Sequence, residues 1–107
     1  MPSLPPVITE AHSISPTRIH VEWQPVSRDH AHGIVLGYNI QFREHKARAP
    51  TSYTYVQSDK LSVELRGLQP FTEYCIKVSA YTRKGDGEPG SCHLALTDET
   101  GKFNSDV

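Results

Sequence analysis

The sequence is short of three features that define many protein classes: cysteine, long apolar runs and an excess of one charge. Its two cysteines, Cys75 and Cys92, are too few for a disulfide scaffold or a four-ligand zinc site. Its longest apolar runs have three residues, as in Ile34-Val35-Leu36, so no segment predicts a membrane span. The 11 basic and 12 acidic side chains give a net charge of −1, which argues against a nucleic-acid-binding surface.

What the sequence does have is turn-forming residues spread along a short chain. Its 107 residues fit one domain, and eight Pro and seven Gly interrupt them throughout. Helical bundles rarely tolerate that many interruptions, whereas a small all-β domain needs them at its turns. The hydrophobic fraction of 36% suits a domain in which only one face of each strand is buried.

Alternating apolar and polar residues predict seven short strands. In residues 17–23, Ile19, Val21 and Trp23 point one way and the polar residues between them point the other. The predicted strands cover residues 7–12, 17–23, 34–44, 51–57, 61–65, 72–82 and 91–97. The inward-facing residues predicted for the third, sixth and seventh strands are Leu36, Tyr38, Ile40 and Phe42; Tyr74, Ile76, Val78 and Ala80; and Leu94 and Leu96.

Three segments carry a resemblance to a known family. They are RIHVEWQP around Trp23, GYNIQFRE at 37–44, and LRGLQPFTEYCIKVSAYTRKGDGEPG at 65–90. In this order and spacing the chain resembles a fibronectin type III domain. The resemblance implies a seven-stranded, two-sheet antiparallel sandwich of the immunoglobulin-like type, forming one repeat of a multidomain receptor or adhesion protein. It places the domain at residues 7–98, after a Pro-rich lead-in at 1–6 and before a linker or tail at 99–107.

The same resemblance implies four structural core residues: Trp23, Tyr38, Leu68 and Tyr74. Leu68 would close one end of the sandwich. Tyr74 would bury its ring and direct its hydroxyl to a backbone group of the preceding turn, the arrangement known as a tyrosine corner.

Strand alternation predicts that the two cysteines face opposite sides. Cys75 lies between inward residues and should face out, whereas Cys92 shares the parity of Leu94 and Leu96. A hairpin turning near residues 85–87 would place Cys75 opposite residue 97 or so. A disulfide is therefore not expected, although a shifted register would allow one.

Catalytic and metal-binding motifs are missing from the sequence. It contains no nucleophile motif, phosphate-binding glycine loop or HExxH, so we expect no enzyme and no cofactor. Asp29, His30 and His32 are the nearest approach to a metal site. A solvated loop explains those three residues better, and we expect no metal.

Two surface features are candidates for contact with a partner. Lys84-Gly85-Asp86 falls where the fibronectin cell-binding repeat displays its integrin-binding Arg-Gly-Asp, although glycines around an acidic residue also simply close a hairpin. The second is a strand face made of residue types that are common at binding hot spots. Ordinary cross-strand pairing of tyrosines on a solvated sheet explains the same residues. The members of this face are Arg43, Tyr53, Tyr55, Lys77 and Tyr81.

The resulting functional prediction is a non-catalytic interaction and spacer module in the extracellular region of a cell-surface receptor or adhesion protein. Its partner would be a protein, not nucleic acid or a membrane, and the isolated domain would be monomeric. The alternative is a spacer in an intracellular, cytoplasmic scaffold or cytoskeletal protein. Cysteines not expected to pair and the lack of a glycosylation sequon keep that alternative open.

Overall fold

The computed structural model describes residues 5–26, 34–46 and 50–100. These residues form eight strands. The bounds are β1 Ile8–Ser15, β2 Arg18–Trp23, β3 Gly37–Glu44, β4 Ser52–Gln57, β5 Ser62–Leu65, β6 Glu73–Thr82, β7 Gly85–Asp86 and β8 His93–Leu96. In this part of the chain there is no helix of the length and apolar character that crossing a membrane would need.

The strands form two antiparallel sheets, as the sequence predicts. One has the order β1-β2-β5, and the other has the order β4-β3-β6-β7, with β8 also paired to β6. The all-β sandwich is therefore confirmed. The last predicted strand, 91–97, corresponds to β8, which pairs with the beginning of β6; β7 is an additional two-residue strand that pairs with the end of β6.

The core lies between the sheets and comes from alternate residues of the longer strands. On β2, Ile19 and Val21 are fully buried, and on β3, Ile40 is fully buried. The predicted inward-facing residues of β6 are buried too: Tyr74, Ile76, Val78 and Ala80. Trp23 is 3% exposed and packs edge-on against Tyr38, with ring centroids 5.5 Å apart.

Two predictions about inward-facing residues are wrong. Leu36 is 43% exposed, because β3 begins one residue later, at Gly37. On β8, Leu94 and Leu96 are 44% and 49% exposed, whereas Ala95 between them is 7% exposed. Ala95 lies opposite the buried Tyr74, so the register with β6, rather than side-chain size, determines which face of β8 is inward.

Hydrogen bonds hold the corner between β5 and β6 together. Leu68 is buried, and the Gln69 N–H donates to the Tyr74 hydroxyl oxygen at 2.8 Å. Thr97 is 1% exposed; its Oγ1 accepts from the Thr72 N–H at 2.9 Å and donates to the Gln69 carbonyl at 2.6 Å. Thr97, which the sequence analysis does not single out, thereby connects the end of the chain to the corner.

Candidate functional site

The candidate site is the face of the five-stranded sheet that points away from the core. Tyr53 and Tyr55 project from β4 on this face and are 55% and 56% exposed. Across the sheet they lie opposite Gln41 and Asn39 of β3, which lie opposite Lys77 and Ser79 of β6. We call this surface the outer face.

Two tyrosine rings meet above the middle strand of the outer face. Tyr55 on β4 and Tyr81 on β6 make an edge-to-face contact, with ring centroids 5.5 Å apart and planes at 77°. They can meet because β3 has Gly37 between them. A Cβ at Gly37 would clash with the Val56 carbonyl oxygen and lie 2.7 and 2.8 Å from the hydroxyl oxygen and a ring carbon of Tyr81, so a side chain there would displace both β4 and the ring.

Polar side chains are buried beneath these rings. Asn39 is 1% exposed and Ser79 is fully buried, although both lie on the outer face. The Asn39 Nδ2 donates to a carboxylate oxygen of Asp86 at 3.3 Å. The Asn39 Oδ1 and the Ser79 Oγ have no hydrogen-bond partner among the residues that the structure describes. Both atoms are inaccessible at the surface, so the exposed part of this site is made by the tyrosine rings.

The environment of Tyr55 favours its neutral hydroxyl. Partial desolvation is the largest cause that raises its pKa above the ordinary value of 10.0. Repulsion from the Asp86 carboxylate, and the hydrogen bond between the two groups, raise the pKa further. Tyr55, Tyr81, Asn39, Ser79 and Asp86 thus form one unit, which we call the outer cluster.

The Lys84-Gly85-Asp86 segment does not form the exposed loop tip that the sequence suggested. The two turn residues are Arg83 and Lys84, because Thr82 already pairs with Gly85, whose φ of 119° is one that glycine adopts readily. Lys84 is exposed, whereas Asp86 lies in β7, opposite Tyr81, and is only half-exposed. The Asp86 carboxylate is engaged within the outer cluster rather than displayed at a tip.

The remaining predicted contact residues lie on the same face, toward its other end. Arg43 is exposed and lies opposite Cys75, and Lys77 is half-buried opposite Gln41. A small cleft of about 40 Å³ lies between them and is also lined by Gln41, Phe42 and Thr51. The structure therefore places Arg43, Tyr53, Tyr55, Lys77 and Tyr81 on one continuous surface.

Cys75 and Cys92 form a disulfide, with Cα atoms 5.2 Å apart. The expectation of two unpaired cysteines is therefore wrong. The expectation failed because the face of β8 that carries Leu94 points outward, and Cys92 lies on that same face. Cys75 lies directly opposite Leu94 instead of near residue 97, which brings the two cysteines together. Both sulfur atoms thus lie on the outer face.

No group of three or more His, Cys, Asp or Glu that could hold a metal ion occurs within residues 5–26, 34–46 and 50–100. The Asp29, His30 and His32 segment lies outside those residues. The sequence analysis also missed Gly37, Asn39 and Ser79. Each reads as an ordinary strand residue, and only the rings from two other strands make it part of a site.

Comparison with known proteins assigns this geometry to a family. A sequence model described as fibronectin type III domain matches residues 4–93. The chain is 37% identical over 96 residues to "Tyrosine-protein phosphatase Lar" of Drosophila melanogaster, covering 86% of this chain and 5% of that protein. It is 35% identical over 99 residues to "Cell adhesion molecule Dscam2" of the same organism, covering 87% of this chain and 5% of that protein.

A solved structure shows the same fold. The crystal structure of the FN5 domain of Drosophila Lar superposes with a TM-score of 0.74 at 31% identity, covering 92% of this chain and 98% of that one. The chain thus corresponds to nearly all of that domain but to only about 5% of the length of its two curated relatives.

Proposed function

This chain belongs to the fibronectin type III family, and we propose that it is a non-catalytic protein-interaction and spacer module of a larger cell-surface receptor or adhesion protein. Family membership and the names of its relatives support this proposal. The domains of this family are non-catalytic modules, which supports a role without enzymatic activity or a cofactor. The parent's own partners and activities are part of the proposal, because one fold serves many roles.

We assign the module to residues 7–98, with residues 1–6 and 99–107 as connectors. Two hydrogen bonds at the ends support these limits. The Gln24 N–H donates to the Val7 carbonyl at 2.9 Å, and the Asp98 N–H donates to the Ser13 Oγ at 2.9 Å. Val7 and Asp98 are thereby tied to the sandwich at opposite ends of β1, which suits a domain joined head to tail with its neighbours.

An extracellular location is the better supported of the two alternatives. Structural disulfides persist in oxidising compartments and are rare in the cytosol, and Cys75 is bonded to Cys92. The expectation of unpaired cysteines, which had supported the cytoplasmic alternative, therefore no longer supports it.

The outer face is the surface we propose for partner contact, and the observation that carries this proposal is the outer cluster. It presents the exposed Tyr55 ring, held in edge-to-face contact with Tyr81, on a face that points away from the core. Tyrosines give large contact area at low entropic cost and dominate many interfaces. Arg43 and Lys77 at the other end would favour a partner with an acidic rim.

The test uses the chain itself as the probe. The 107-residue chain, biotinylated at a terminus and assembled into tetramers, is applied to intact adherent cells and measured by flow cytometry. We expect saturable staining that Tyr53→Ala/Tyr81→Ala lowers at least about tenfold, a loss typical of two hot-spot residues.

The matched control is Glu10→Ala/His12→Ala, which removes an exposed contact between a carboxylate and an imidazole ring from the other sheet. It should stain as the unchanged chain does, and thermal melts should verify that each variant is folded. Absence of staining by the unchanged chain, or equal staining by the tyrosine double variant, would refute the outer face as a contact surface.

A further inference from the structure

The outer edge of β4 lacks the features that normally keep a sheet edge from pairing. This strand, Ser52–Gln57, has six residues, and none is charged, proline or glycine. It pairs with β3 without a register shift, and it has no second strand partner among the described residues. A regular, uncharged edge of this kind is a template for another strand.

The other sheet edges are protected in recognised ways. The pairing of β1 with β2 has two register shifts, and Glu10 places a carboxylate along β1, in contact with the His12 ring. The edge strand β5 has only four residues, and its Glu64 forms ion pairs with Arg18 and Arg66. The β7 and β8 edge is divided into pieces of two and four residues. Bulges, charge and short length each discourage pairing with another strand. Of the edge strands described, β4 has none of these three features.

The hydrogen-bond pattern shows which backbone groups β4 offers. In an antiparallel ladder, successive residues turn their N–H and C=O groups alternately toward one neighbour and the other. The His45 N–H donates to the Glu73 carbonyl, so odd-numbered residues of β3 bond to β6 and even-numbered ones bond to β4. By the register with β3, Tyr53 and Tyr55 therefore turn their N–H and C=O groups to the free edge, whereas the Gln57 carbonyl accepts the Lys60 N–H at 3.0 Å.

This edge is complementary to itself. A two-fold axis at Thr54 would place Tyr53 of one copy opposite Tyr55 of the other, and both residues offer free backbone groups. Their side chains point to the same face of the sheet, so the two outer faces would become continuous and two tyrosine pairs would form across the seam. No charged side chain of β4 opposes its own copy, whereas Glu10 of β1 or Glu64 of β5 would bring like charges together.

We propose that two copies of this chain associate through antiparallel pairing of their β4 edges, which joins the five-stranded sheets into one. This dimer goes beyond the proposed function and does not depend on it. It also departs from the monomer that the sequence predicts. A single strand pair buries little area, so the association is weak and is favoured where copies are concentrated on a surface.

The first test separates the backbone of β4 from its side chains. Sedimentation equilibrium should show a monomer–dimer equilibrium of the unchanged chain as its concentration rises. Tyr55→Pro removes the N–H that faces the edge and keeps the bonds of its neighbours to β3, so it should raise the dimer dissociation constant at least about tenfold. Tyr55→Ala keeps that N–H and should weaken the dimer less.

The second test does not depend on proline being tolerated. Tyr53→Lys/Tyr55→Lys and Tyr53→Glu/Tyr55→Glu should each be monomeric, because position 53 opposes position 55 of the other copy. An equimolar mixture of the two variants should restore the dimer. The matched control, Glu10→Ala/His12→Ala on the β1 edge, should dimerise like the unchanged chain.

Three outcomes would overturn the proposal. In the first, the unchanged chain stays monomeric up to about millimolar concentration, so that any dimer has a dissociation constant above about 1 mM. In the second, the lysine variant or the glutamate variant dimerises on its own. In the third, the mixture of the two variants stays monomeric while the unchanged chain dimerises. Loss of cell staining has no bearing on these readouts, so the dimer and the proposed function can fail separately.

Discussion

Tyr74 and Tyr81 lie on the same strand, β6, but their surroundings differ in how completely polar groups are satisfied. The hydroxyl of Tyr74 accepts the Gln69 N–H, and Thr97 next to it makes hydrogen bonds in both directions. Beside Tyr81, the Asn39 Oδ1 and the Ser79 Oγ lack partners among the described residues. The corner therefore stabilises the fold through satisfied hydrogen bonds, whereas the outer cluster holds buried polar atoms whose hydrogen bonds are not made within the described residues.

The corner and the outer face also differ in how deeply they bury apolar side chains, and truncating such a side chain should give the largest difference in the free energy of unfolding. Leu68→Ala removes a side chain that is 5% exposed at the corner and should cost about 2–5 kcal/mol. Leu96→Ala removes the same atoms from the outer face, where the residue is 49% exposed, and should cost less than about 0.5 kcal/mol.

Urea unfolding followed by tryptophan fluorescence measures both variants, since Trp23 lies in the core. Equal losses for Leu68→Ala and Leu96→Ala would mean that the corner contributes no more to stability than the exposed face does.

A smaller effect distinguishes the two tyrosine hydroxyls. Tyr74→Phe leaves the Gln69 N–H without its acceptor and should cost about 1–3 kcal/mol. Tyr81→Phe keeps the ring over Gly37 and its contact with Tyr55, so its cost should stay below about 0.5 kcal/mol. The same unfolding measurement applies, and a Tyr81→Phe loss as large as that of Tyr74→Phe would contradict the contrast.

Local patterns were sufficient to predict most of the core, and the family resemblance supplied the tyrosine corner. Alternation along residues 17–23 and 72–82 gives the inward sets of β2 and β6, because one face of each strand is uniformly apolar. The family resemblance led us to expect the hydrogen bond of the Tyr74 hydroxyl. Its donor and acceptor lie only five residues apart, so one short segment contains both. Short-range geometry of this kind is encoded in a short segment.

The outer cluster could not be predicted because it depends on register. Asn39 reads as a solvated strand residue until Tyr55 and Tyr81, on the strands to either side, cover it. The Leu94-Ala95-Leu96 segment misled for a similar reason. The alternation of large apolar residues predicts that the two leucines face the core, but the register places Ala95 opposite Tyr74, and Ala95 is the buried residue. The disulfide follows that register: Cys75 faces out as predicted, whereas the predicted face of Cys92 and the expectation of unpaired cysteines were wrong.

The smallest expected effect is electrostatic and concerns the outer cluster alone. The folded-state pKa of Tyr55 is raised above 10.0, first by partial desolvation and then by Asp86. Folding therefore favours the neutral hydroxyl, and this contribution to stability is complete below the unfolded value near pH 10 and lost as the pH rises through the folded pKa. Asp86→Asn keeps an oxygen acceptor but removes the charge, so the pKa of Tyr55 should fall toward its ordinary value while stability at neutral pH hardly changes.

NMR titration of the tyrosine ring carbons can follow Tyr55 through this pH range, with Tyr55→Phe assigning its signal. Asp59→Asn is the matched control, because it removes a carboxylate from an exposed turn. A Tyr55 pKa that does not move in Asp86→Asn, or that moves equally in Asp59→Asn, would mean that Asp86 is not electrostatically coupled to the ring above it. A shift confined to Asp86→Asn would instead show that the Asp86 carboxylate acts on the Tyr55 hydroxyl within the outer cluster, a coupling that forms only because the register places these strands side by side.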